Sequence, residues 1–306
     1  MSPTGFEGQR FLLSGASGLL GAALRSALVG DGAEIVQLVR REPAGPREVR
    51  WDPSAHSPVT NGAAIEGLAA AIHLSGANVA QQRWTPAYRR AMWSSRVDST
   101  RALCTALAGL RRPPRALLAA SATGIYGDRG DEVLDEGSKV GSGFLADLCR
   151  EWEAACEPAV KAGIRVVHLR FGVVLAREGG ALGKMLPLFR LGVGGPMGRG
   201  QQWMSWIGIA DAIEAIRFLL TSEVAGAVNL CSPHPLTNSE FTRILARRLH
   251  RPAFLRAPAF ALRLALGQMA DEALLASARV LPAKLTKAGF EFEQPALEDA
   301  LAAVLP

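Results

Sequence analysis

Short uninterrupted apolar runs alternate along this chain with longer stretches whose apolar residues return every three or four positions. Phe11, Leu12 and Leu13 form a run too brief for a helix and bounded by small residues, which marks a buried parallel strand. Leu20, Leu24 and Leu28 then recur at i, i+4 and i+8, one stripe of a helix over 19–29. The alternation continues. Residues 34–39 read as a second strand, 49–52 as the end of a third, and 70–74 as a fourth. A long helical segment over 86–110 leads to a fifth strand at 115–120, a helix over 145–160 and a sixth strand at 165–169. This order predicts an α/β protein with a Rossmann-type doubly wound parallel sheet. Residues 1–175 are expected to form its core, with 176–306 supplying a smaller, interleaved C-terminal substrate lobe.

The junction between the first strand and helix carries chemistry. Gly15, Gly18 and Gly21 recur at three-residue spacing. The first allows the tight turn, the second lets backbone N–H groups approach a pyrophosphate, and the third lets helix and strand pack closely, at a helix N-terminus whose dipole favours an anion. The site is therefore expected to include Gly15, Ser17, Gly18, Leu19, Leu20 and Gly21. At the end of the second strand, where an acid would bond a ribose 2′-hydroxyl, stand Arg40 and Arg41. Arginines there accommodate a 2′-phosphate, so NADP(H) is the expected cofactor; two surface arginines opening a loop are the alternative. Leu74, Ser75 and Gly76 close the fourth strand at the carboxyl end, where small residues admit a cofactor. Ser121 and Thr123 gather hydroxyls beyond the fifth strand, next to Tyr126.

Composition narrows the field. Of 306 residues, 49% are hydrophobic, enough for a substantial core. Cys104, Cys149, Cys156 and Cys231 form no C-x-x-C pair, and Cys149 and Cys156 would stand about 10 Å apart along a helix, too far to bridge. Free thiols in a reducing cytoplasm are expected. The first ten residues lack the apolar centre of a signal peptide, and no long uncharged apolar run predicts a membrane span. The net charge of +6 comes from scattered arginine pairs without interleaved aromatics, which argues for solvated surface over nucleic-acid binding. No His/Cys cluster has metal-ligand spacing. His73 and His168 read as packing residues, Asp211 as a helix N-cap, and Thr237 to Glu240 as a capping box. Gln201, Gln202, Trp203 and Trp206 suit a substrate wall below the glycine-rich loop 192–200, although Trp206 could equally be buried.

The glycine turn and the run SATGIYG at 121–127 resemble the extended short-chain dehydrogenase/reductase superfamily. More closely, HLSGANVAQQRW, SSRVDSTRAL, GDRGDEVLDE, RFGVVLAREGGAL and AGFEFEQPALEDAL resemble the atypical "epimerase family" proteins that include the mammalian 39U member. That resemblance implies a Rossmann domain, bound NADP(H), a small-molecule substrate and a family-specific C-terminal extension. It also implies cofactor contacts from Gly172 and Val173, and from Arg96, which either reaches a phosphate or forms a surface ion pair.

One departure matters. The superfamily's Tyr-x-x-x-Lys pair, in which lysine lowers the tyrosine pKa, is not encoded. Tyr88 and Tyr126 are the only tyrosines, Leu145 and Cys149 stand at the expected register, and Ala122 replaces the usual Ser or Thr. Tyr126 is then the remaining candidate proton donor, with Ser121 or Thr123 as hydrogen-bonding partners. The expected function is an NADP(H)-dependent oxidoreductase or epimerase-like enzyme acting on a small hydroxylated or carbonyl substrate. A non-catalytic NADP(H)-binding sensor is the alternative. The apolar segments 259–267 and 270–278 could cover the cleft or build a homodimer.

Overall fold

The computed structural model describes residues 5–55 and 57–305. β1 (Arg10–Ser14), α1 (Leu19–Gly30), β2 (Glu34–Val39) and β3 (Glu48–Arg50) come first. β4 (Ala70–His73), α2 (Pro86–Trp93), α3 (Ser99–Ala108) and β5 (Ala116–Ala122) follow. Next are β6 (Val133–Leu134), α4 (Phe144–Ala154), α5 (Glu157–Lys161), β7 (Arg165–Phe171) and β8 (Val173–Leu175). The chain continues through α6 (Gly180–Arg190), β9 (Trp203–Met204), β10 (Trp206–Gly208), α7 (Ile209–Thr221), β11 (Gly226–Leu230), β12 (Leu236–Thr237) and α8 (Asn238–Arg248). It ends with α9 (Ala259–Leu266), β13 (Arg279–Val280), α10 (Ala283–Lys287) and α11 (Leu297–Val304).

Seven strands form one parallel sheet in the order β11-β7-β5-β4-β1-β2-β3. Helices cover both faces, which explains the uninterrupted apolar strands: Leu13 enters one core cluster with Leu24 and Leu28 of α1, and Leu12 enters the other with Leu103 and Leu107 of α3. Strand order reverses between β1 and β4. A ligand crevice belongs there, at the carboxyl ends of the strands. A cavity of about 850 Å³ near Arg10, Arg115 and Arg165 opens instead at the strands' amino ends, opposite the glycine turn. Residues beyond 175 return to the sheet through β11 and build a separate cluster around Leu186, Phe189, Trp206, Phe241 and Leu301.

Several elements depart from the sequence reading. The 86–110 helix contains a π-helical turn, Ser94–Asp98. The 145–160 helix breaks at Ala155 and Cys156 because Pro158, which lacks an N–H, sits in the first turn of α5. Asp211 lies inside α7, whose N-cap is Gly208. Its carboxylate accepts from the N–H groups of Glu293 (2.9 Å) and Gln294 (3.1 Å), tying the C-terminal segment to the core. Residues 270–278 form only a π turn, Ala270–Leu275, because Ser277 is drawn away by Asp128 and the Gly130 carbonyl. The capping box of Thr237 and Glu240 is present as expected.

Candidate functional site

Gly15 follows β1 with φ +74°, the left-handed region open to glycine. A Cβ on Gly21 would stand 2.0 Å from the Gly15 carbonyl oxygen, so helix and turn can touch only with glycine there. At Gly18 an added Cβ would meet nothing but the Gly15 carbonyl, at 3.3 Å, and otherwise project into open space. No side chain caps α1 at Gly18, and its first turn holds no acid. Ser17 and Gly18 are exposed, and Gly15, Leu19 and Leu20 half-buried. These residues fit a pyrophosphate: open backbone at a helix N-terminus, on the switch point.

The two arginines beyond β2 differ. Arg41 makes a bidentate pair with Glu48 (2.6 and 2.7 Å) and donates to the Glu42 carbonyl. Arg40 is exposed and forms no ion pair among the described residues. Arg40 is therefore the one available to a phosphate.

Across the switch point, Leu74 and Ser75 are half-buried and Gly76 exposed after β4. The Arg96 guanidinium lies against Gly76, where an added Cβ would be 3.1 Å from its Cζ. The π turn brings Arg96 inward, leaving it 9% exposed and 5.0 Å from the Trp152 ring centre. Trp152 is held by Thr100, which accepts from its indole N–H at 2.9 Å. Arg96 forms no ion pair among the described residues, so the surface-pair alternative does not hold. Among the described residues its guanidinium makes one hydrogen bond, a 3.4 Å contact to the Met92 carbonyl, and burial pulls its pKa below the usual arginine value.

Beside it, two of the three positions that replace the superfamily's catalytic residues, Cys149 and Ala122, pack together, and Leu145 stands next to Gly124. A Cβ added to Gly124 would stand 3.5 Å from that of Leu145, and the buried Cys149 shares a hydrophobic cluster with Ala122. None is a proton carrier: burial pushes the Cys149 thiol up to about 12.

Tyr126 and Ser121 come together in a network beneath that corner. The Tyr126 hydroxyl donates to Asn229 Oδ1 (2.8 Å) and accepts from Arg170 (2.9 Å), and the residue has no exposed surface. Burial raises its pKa to about 12, against the opposing charge of Arg170. Ser121 donates to Glu153 at 2.7 Å, and Glu153 is paired twice with Arg170 (2.7 and 2.8 Å). The structure thus gives Tyr126 a closed position rather than one facing the crevice. Thr123 alone of the three is part-exposed, donating weakly to the Phe171 carbonyl at 3.3 Å. Gly172 and Val173 lie beyond β7, with their N–H groups spent on the carbonyls of Leu230 (3.0 Å) and Ser205 (2.8 Å). Of the expected substrate wall, Gln202 and Trp206 are internal: Gln202 donates to the Met197 and Leu274 carbonyls, Trp206 to the His234 carbonyl.

Glu153 and Arg170 were not singled out by sequence reasoning. A signal existed. Leu145, Cys149 and Glu153 share one helical stripe at i, i+4 and i+8, and a charge on an otherwise buried stripe calls for a partner.

The switch-point sheet and open glycine turn define a Rossmann-type α/β protein of the short-chain dehydrogenase kind. The chain belongs to the NAD dependent epimerase/dehydratase family, whose model matches residues 11–231; residues 257–304 match a domain of unknown function, DUF1731. It is 40% identical over 290 residues to an epimerase family protein of Mycobacterium leprae, covering 94% of this chain and 93% of that protein. It is 36% identical over 301 residues to one of Staphylococcus aureus, covering 96% and 98%. Among solved structures it is similar to human epimerase family protein SDR39U1 with NADPH, with a TM-score of 0.88 and 32% identity, covering 97% and 99%. A nucleoside-diphosphate sugar epimerase of Corynebacterium glutamicum has a TM-score of 0.79 and 34% identity over 97% of this chain and 58% of its own. A nicotinamide dinucleotide is the corresponding cofactor class. No helix among the described residues is long and apolar enough to cross a membrane, and no cluster of metal-binding side chains occurs among them.

Proposed function

We propose that this protein binds NADP(H) and acts as an oxidoreductase or epimerase-like enzyme on a small hydroxylated or carbonyl compound. The observation that carries the reading is the open glycine cradle at the switch point, with Arg40, which has no ion-pair partner among the described residues, at the adenosine side. Gly15, Ser17, Gly18, Leu19, Leu20 and Gly21 would hold the phosphates, Arg40 the 2′-phosphate, and Leu74, Ser75, Gly76, Arg96, Gly172 and Val173 the nicotinamide half. The bound cofactor supplies hydride exchange. The chain's part is to orient the substrate: the Thr123 hydroxyl is the candidate bond to a substrate oxygen, and the apolar corner of Ala122 and Leu145 excludes water. Tyr126 and Ser121 position Arg170 and Glu153 and so keep the carboxyl end of β5 rigid.

A second reading, a non-catalytic NADP(H)-binding sensor, is favoured by that same corner, where Leu145 and Cys149 offer no acid or base. Fluorescence titration with NADPH, followed by a metabolite extract screened for oxidation of the bound cofactor, separates the two. Binding with turnover supports the enzyme, binding without any turnover the sensor.

A further inference from the structure

Arg96 is a buried cation without an anionic partner among the described residues. It is nine-tenths buried, rests on Trp152 at 5.0 Å, and among the described residues its guanidinium meets one weak acceptor, the Met92 carbonyl. Glu153, one helical turn beyond Cys149, is committed to Arg170 through two contacts, so its charge is already matched. Cys149 stays neutral in its buried setting. A desolvated guanidinium with no counter-charge is little screened, so its field reaches whatever occupies the crevice beside it.

Its place in the sheet says which part of a dinucleotide it meets. The strand order runs from β3 and β2, beside Arg40, through β1 and its glycine turn, to β4 and β5. Arg96 stands beyond β4, against Gly76 and beneath α4, on the opposite side of the glycine turn from Arg40. A dinucleotide with its adenosine at Arg40 and its pyrophosphate at Gly18 brings its nicotinamide half to Arg96. The two redox states of that half differ by one unit of charge: the oxidised ring is cationic, the reduced ring neutral.

We propose that Arg96 makes this site selective for the reduced cofactor, repelling the cationic oxidised nicotinamide while leaving the neutral reduced ring unpenalised. The inference rests on the NADP(H) reading above. A fixed charge acting across several ångströms in partly desolvated surroundings shifts such a preference about tenfold or more. The site then favours a reductive direction, or in a sensor reports the reduced pool.

The test is calorimetric titration of the purified protein with NADPH and, separately, with NADP⁺, repeated on Arg96→Met and Arg96→Lys, each checked for folding by circular dichroism. The expected result is NADPH bound about tenfold or more tightly than NADP⁺ by the original protein. Arg96→Lys should retain that ratio and Arg96→Met bring it toward one. Equal affinities in the original protein overturn the inference and leave the NADP(H) reading standing. Equal weakening of both forms in Arg96→Met, with the ratio kept, makes Arg96 a phosphate contact and overturns it as well. Binding of neither form by the original protein overturns both readings.

Discussion

Arg170 clasps Glu153 through two near-parallel contacts, Nε to Oε1 at 2.7 Å and Nη2 to Oε2 at 2.8 Å, with both side chains largely buried. The remaining Nη1 goes to the Tyr126 hydroxyl and one Glu153 oxygen accepts from Ser121, so β5, β7 and α4 are joined by charge-assisted bonds directly beneath the apolar corner. Removing one partner strands the other in a desolvated place. Glu153→Ala is expected to destabilise the protein by about 3–5 kcal/mol, measured by urea unfolding. A loss below about 1 kcal/mol would contradict this account.

The same pair sets an acid limit. Burial alone would raise the Glu153 pKa, but the bonds and charge of Arg170 outweigh it and hold the carboxyl below its ordinary value. Its stabilisation is thus complete above the unfolded carboxylate pKa near ~4.3 and fades as pH falls below that. Melting temperatures from pH 5 to pH 3 should fall more steeply for the original protein than for Glu153→Gln. Parallel curves would sink the assignment.

His73 governs a separate window. It is fully buried, 2.6 Å from Ser14 Oγ through Nδ1, and burial lowers its pKa from 6.5 to about 4. The folded form must keep it neutral while the unfolded chain takes up a proton below 6.5, so stability declines as pH falls from 6.5 toward 4. The loss over that window is on the order of 3 kcal/mol. Chemical unfolding at pH 7 and pH 4.5 should show it in the original protein and a flatter response in His73→Gln.

The strand–turn–helix start was legible because its information is local: a three-residue apolar run, glycines at fixed spacing and a 3.6-residue stripe lie within twenty residues. The roles of Tyr126 and Ser121 were not. Each is decided by partners far along the chain, Asn229 and Arg170 for the one and Glu153 for the other. A hydroxyl at a strand's carboxyl end looks the same in sequence whether it faces a crevice or a buried arginine. Arg96 was singled out, but its inward turn depends on a π-helical register that side-chain periodicity does not announce.

Arg40 and Arg41 separate cofactor choice from surface pairing. Arg41 is occupied by Glu48, whereas Arg40 has no ion-pair partner among the described residues. Arg40→Glu should weaken NADPH by about tenfold or more while changing NADH little, because the proposed charge-assisted phosphate contact would be replaced by repulsion. Arg41→Ala should leave the NADPH-to-NADH ratio near its original value. Fluorescence titration of both cofactors with both variants checks this. An equal loss for NADPH and NADH in Arg40→Glu would remove Arg40 from the site.

Gly18 and Gly21 differ in what an added side chain meets, and that difference separates binding from folding. At Gly21 a Cβ would fall 2.0 Å from the Gly15 carbonyl oxygen and 2.8 Å from its carbon, both backbone atoms of a tight turn that cannot yield without moving β1 from α1. Gly21→Ala should therefore lower stability by several kcal/mol, in the upper range for a core substitution, and lose cofactor affinity as a consequence. At Gly18 the one close neighbour is the Gly15 carbonyl at 3.3 Å, and the added carbons otherwise enter the space above the helix N-terminus. Gly18→Val is then expected to unfold within about 1 kcal/mol of the original protein, as for a surface change, yet to bind NADPH more weakly by about a hundredfold or more, since its side chain would fill the position proposed for the pyrophosphate. Urea unfolding paired with cofactor titration measures both quantities on each variant. A folded Gly18→Val protein with undiminished affinity would place the phosphates elsewhere.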